Sequence, residues 1–124
     1  MKTMKRIGKK DPTIRDVISR LATRLGSDAF HIVDHWNANL CAIGISAPSN
    51  HKVLAYIQTF GSAKGRYDAH LELPPKDRRK FPYADAGVHP QVTFAKIVKI
   101  VQKHFKKAEA QPDLSAYRRK PPVR

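Results

Sequence analysis

The spacing of apolar residues along the chain runs from helical to alternating and back to helical. Ile14, Val17, Ile18, Leu21, Ala22 and Leu25 recur three and four apart, while Arg15, Arg20 and Arg24 fall outside that stripe. This spacing predicts an amphipathic helix with one buried face. Asp11 and Pro12 supply its start, a capping carboxylate followed by a residue whose missing N–H is not needed there. Gly26 supplies its stop, in a left-handed conformation.

From residue 29 the period falls to two. Strands are predicted over 29–36, 40–46, 53–60 and 67–73, separated by Asn37-Ala38-Asn39, Ala47-Pro48-Ser49-Asn50 and the glycine-bracketed loop 61–65. Short turns between consecutive strands favour an antiparallel meander. Pro74-Pro75 ends the sheet, and 76–89 reads as a long loop carrying Lys76-Asp77-Arg78-Arg79-Lys80. A second helix is predicted from Pro90 or Thr93, with Phe94, Ile97, Val98, Val101 and Phe105 on its apolar face and Lys96, Lys99, Lys103 and Lys107 on another. The expected fold is therefore α+β, in the order α-β-β-β-β-α: a four-stranded antiparallel sheet with both helices on one face.

Three segments follow from the same pattern. Residues 1–10 read as a basic arm with little to bury, 11–107 as a single domain, and 108–124 as a polar, proline-bearing basic tail.

The strand predicted over 67–73 alternates most cleanly. Tyr67, Ala69, Leu71 and Leu73 point one way, toward the helices; Asp68, His70 and Glu72 point the other. Extending that alternation across the sheet places Tyr56, Gln58, Phe60, His31 and His35 with Asp68, His70 and Glu72 on the second face. Aromatics, amides, histidines and carboxylates mixed in this way suit a protein interface, and these eight residues are the candidate partner-binding set.

Charge changes the picture less than its total suggests. The net charge of +14 is distributed as +6 over residues 1–24, −1 over 26–75 and +9 over 76–124. The strand region is neutral, and basicity belongs to the helices, one loop and the two ends. An acidic or mixed-charge partner is expected. Nucleic acid is the other candidate, with Arg78, Arg79, Lys96, Lys99 and Lys103 as its phosphate contacts. A double-stranded-RNA-binding domain also runs helix–sheet–helix, but it has three strands and a lysine cluster opening its second helix, which this chain lacks. The aromatic patch of an RNA-recognition sheet is absent as well.

Enzymatic chemistry has little sequence support. There is no G-x-S-x-G elbow and no Walker-type loop. His31 and His35 share a strand face but would sit ~13 Å apart along it, too far to hold one metal ion. His70 with Lys64 or Arg66 is the least implausible set for a metal-independent nuclease. No metal and no cofactor is expected. The lone Cys41, flanked by Leu40, Ala42 and Ile43, excludes an internal disulfide and reads as a buried structural thiol in a reducing cytoplasm. The basic N-terminus has no apolar segment after it, against a secretory signal, and no apolar run approaches the ~20 residues of a membrane span.

The size, the strand order and the segment His31-Ile32-Val33-Asp34-His35-Trp36, followed by Leu40-Cys41-Ala42-Ile43-Gly44-Ile45, resemble small single-domain immunity proteins of bacterial toxin systems. The resemblance covers roughly residues 11–106 and is one of architecture, without a diagnostic motif. It implies a cytoplasmic, non-enzymatic protein that neutralises a toxin domain by protein–protein contact. Immunity proteins against basic nucleases are usually acidic; this chain is basic, which implies a toxin with an acidic or mixed docking surface.

Overall fold

A computed structural model of the chain describes residues 7–33, 39–75 and 83–110. The elements in order are α1 (Pro12–Leu25), β1 (His31–Ile32), β2 (Ala42–Ala47), β3 (Asn50–Gln58), β4 (Tyr67–Leu73), β5 (Ala84–Val92), α2 (Phe94–Phe105) and the short α3 (Lys107–Ala110). The strands form one antiparallel meander in the spatial order β1-β2-β3-β4-β5.

The α1 helix forms for the reasons its sequence gives. Asp11 caps it by accepting from the Thr13 backbone N–H at 2.9 Å, and Pro12 opens the first turn. The Thr13 hydroxyl also donates to Asp11, and these two bonds hold the Asp11 carboxyl below the usual carboxylate range. Gly26 ends the helix with φ 106° and ψ 145°, not in the left-handed helical region. Its N–H still donates to Ala22, at 2.9 Å, and its carbonyl accepts from the Ala29 N–H at 3.1 Å in the turn that follows; its own φ and ψ are open in practice only to glycine.

One contiguous core joins both helices to one face of the sheet. Ile14, Val17, Ile18 and Leu21 of α1 and Ile97, Val98 and Val101 of α2 pack with Ile43, Ile45, Ala55, Ile57, Ala69 and Leu71. Ile7 joins them at 1% exposure. Of the predicted arm, the described residues 7–10 thus reach the core, and Lys10 is drawn in with Ile7, its ammonium donating to the Asn39 carbonyl at 2.7 Å. Among the described residues no helix is long and apolar enough to cross a membrane.

The expectation of four strands is corrected to five. β5 occupies residues 84–92, where a loop running into the second helix was expected. Asp85, Gly87 and Pro90 read as strand breakers, and two register shifts against β4 destroy the alternation a strand would show. Gly87, at φ 121°, and Gln91, at φ 51°, carry the backbone through these irregularities. The outermost position tolerates Pro90, which need not donate to a further neighbour.

The helix that follows starts at Phe94, with the Thr93 hydroxyl accepting from the Lys96 N–H at 3.2 Å. Of the predicted 29–36, β1 covers His31–Ile32, and 34–36 lie outside the described residues. After Ile32 the pairing breaks, and Val33 donates to Gly44 at 2.9 Å while its own carbonyl crosses over that glycine. By contrast β4 spans the predicted 67–73, and Ala47–Asn50 closes a tight hairpin at the predicted turn.

Candidate functional site

The strand register assembles the second sheet face in rows. Gly44, Tyr56, His70 and Val88 are successive cross-strand neighbours from β2 to β5. Gln58 opposes Asp68 in the row on one side, and on the other Leu54 opposes Glu72, itself opposite Asp85. Tyr56, Gln58, Asp68, His70 and Glu72 do share a face, and they line one cleft of about 390 Å³ together with Asn39, Tyr83 and Val88.

The remaining members of the candidate set are elsewhere. His31 lies on the same side but at the far strand, where its Nδ1 meets His51 Nε2 at 2.8 Å. Phe60 lies past the end of β3, 76% exposed, and does not line the cleft. His35, Arg78 and Arg79 fall outside the described residues, as do 1–6 of the predicted arm and 111–124 of the predicted tail.

The face is not open along its whole length. Ser46, Leu54 and Glu72 are buried. Gly44 is buried too, because the Val33 carbonyl crosses it where a side chain would otherwise stand. The accessible part is centred on Tyr56, His70 and Val88.

Asp68 is held in place from β5. Its Oδ1 accepts from the Gln91 backbone N–H at 2.8 Å and from the Gln91 side-chain amide at 3.1 Å. The same amide reaches Ser62 Oγ at 3.1 Å, and its oxygen accepts from the Ala63 N–H at 3.2 Å. Gln91 therefore ties Asp68 to the 61–65 loop, and these bonds hold it at a positive φ that a side chain otherwise avoids.

His70 faces a carboxylate that the sequence alone did not connect to it. Its Nε2 lies 3.5 Å from Asp85 Oδ1 without a hydrogen bond between them. The trio suggested for a nuclease is not assembled: Lys64 and Arg66 line a different cleft beside Thr13, Asp16 and Arg20. Arg20 there stacks on the Phe94 ring at 3.9 Å. Among the described residues no three His, Cys, Asp or Glu side chains form a metal-sized cluster. Cys41, expected buried, is half-buried just before β2.

A second group of predicted residues also comes together. Lys96, Lys99 and Lys103 line a groove of about 290 Å³ with Lys107 and His89, between α2 and β5.

Sequence reasoning missed Tyr83, Val88, Asp85 and His89, all carried by β5 or the residue before it. The signal present was Val88 and Tyr83 themselves, two large apolar side chains in a segment read as loop. In comparisons with known proteins, no family model, no curated protein and no solved structure matches the chain significantly.

Proposed function

We propose that this chain is a non-enzymatic binding protein that docks a protein partner on the second face of its sheet, as a toxin-neutralising immunity protein would. The observation that carries the reading is the clustering of exposed apolar groups at one polar cleft. Of the four large hydrophobic side chains exposed among the described residues, Leu40, Phe60, Tyr83 and Val88, two line the Tyr56–His70 cleft. Aromatic and aliphatic groups set among polar ones, on a rigid sheet, are the composition of an interface centre.

The cleft's charge refines the partner. Asp68 and Glu72 are the carboxylates lining it, Asp85 backs His70, and the lysines lie on α2. A partner of mixed charge fits, one that sets a basic or hydrogen-bond-donating side chain against the accessible Asp68 and Asp85 rather than the buried Glu72. Such an encounter takes place in the cytoplasm, where a toxin would otherwise act.

The first test is the gene neighbourhood, where the reading requires a toxin domain encoded beside this chain. The full chain should bind it and restore growth on co-expression. Tyr56→Ala, His70→Ala and Val88→Arg should each weaken binding by at least about thirtyfold, the scale of an interface hot spot. Failure of the unaltered chain to bind or protect removes the reading, and unchanged binding by all three variants removes the surface.

A further inference from the structure

We propose that the groove between α2 and β5 seats the phosphodiester backbone of a nucleic-acid duplex. It uses other residues than the Tyr56–His70 cleft, so the two proposals stand or fall separately. One wall is the lysine stripe Lys96, Lys99, Lys103 and Lys107; the other carries His89 and the small Ala86. Leu71 and Ile100 form an apolar floor.

The fold fixes where these cations point. Ile97, Val98, Val101 and His104 are buried under α2, which sets the rotation of the helix and turns the lysine flank toward β5. Among the described residues no carboxylate pairs with any of the four ammonium groups. Among those residues the groove is therefore a concentration of unpaired positive charge along one helix.

The dimensions suit a polymer rather than a single anion. Lys96 to Lys103 spans about 10 Å at the helical rise. One strand of a duplex carries about three phosphates over that length, against the three lysines. Lysine offers point charges and not the planar fork that reads base edges, so the affinity is independent of sequence.

The experiment is a fluorescence-anisotropy titration of the full chain with a labelled DNA duplex of about 20 base pairs, at salt concentrations between roughly 50 and 200 mM. Binding should weaken steeply with salt. The triple variant Lys96→Ala, Lys99→Ala, Lys103→Ala should flatten the log–log slope by about 3, at close to 0.9 per lost phosphate contact. A triple change of the same residues to arginine should preserve the slope, and Val88→Arg should not reduce binding. Absence of binding at the lowest salt overturns the proposal. So does a steep slope that the alanine triple leaves intact, which would assign the affinity to cations elsewhere in the chain.

Discussion

His104 Nε2 lies 2.9 Å from the backbone carbonyl oxygen of Glu72, with the ring 1% exposed. A polar side chain on the apolar side of α2 thereby fastens the helix to β4, directly behind the candidate cleft. For the ring to donate to that carbonyl, Nε2 carries the proton, and the neutral ring leaves Nδ1 as a bare acceptor. Burial pushes the His104 pKa below that of an ordinary histidine; the carbonyl bond opposes this, and the charge of Lys107 reinforces it.

The pH dependence follows from that direction. The unfolded chain takes up the His104 proton near an ordinary pKa of about 6.5, and the folded chain only at lower pH. Below about 6.5 the unfolded state binds more protons, so stability is full above this range and falls on acidification until the folded pKa is passed. Urea unfolding at pH 8, 6 and 5 should show the decline. In His104→Gln the acid decline should be smaller, although the variant starts less stable. Parallel pH profiles for the two proteins would show that His104 is not the source.

Gln91→Ala removes the side-chain bonds to Asp68, Ser62 and Ala63 while leaving the backbone bond to Asp68. The expected cost is about 1–3 kcal/mol, the range for several partly exposed hydrogen bonds. Gln91→Gly should be no worse despite losing the same bonds, because glycine accepts the positive φ without strain. Denaturant midpoints of the three proteins check the order.

Ile7→Ala should destabilise the protein by about 2–5 kcal/mol, the cost of emptying a core isoleucine site. Ile7→Val should cost about 0.5–1.5 kcal/mol. A neutral alanine variant would mean that the N-terminal segment does not pack as Ile7 does here.

Gly44→Ala should be among the most damaging single-atom additions. The new methyl would overlap the Val33 carbonyl oxygen and stand 3.0 Å from the Tyr56 ring and 3.3 Å from Leu54 Cδ2. The ring and the leucine can shift, but the carbonyl belongs to the chain whose N–H bonds Gly44. Overpacking of this kind costs about 1–3 kcal/mol or more. Thermal unfolding reads that loss, and near-ultraviolet circular dichroism should report a displaced Tyr56.

Much of the fold was legible because local signals and burial agree. The 67–73 alternation gave β4 its ends and its faces, and with them the neighbours Tyr56, Gln58, Asp68 and His70. Asp11, Pro12 and Gly26 bounded α1. β5 was not legible, because its register shifts and its Gly87 and Pro90 erase the period by which a strand is read. One wall of the cleft and one wall of the lysine groove went unseen with it. His104 was missed for a different reason: a histidine on an apolar stripe reads as polar until a backbone carbonyl is found within its reach.

The irregularity of β5 also bears on how copies of this protein behave toward one another. A sheet ends in rows of unsatisfied backbone groups, which invite a strand from another molecule. Here one margin is broken by two register shifts, a proline without an N–H and a left-handed glutamine. The other, among the described residues, is a strand of two residues. Neither offers a straight template, so stacking of molecules strand upon strand is disfavoured at both ends. The features that hid the fifth strand from the sequence are those that keep the sheet from growing beyond it.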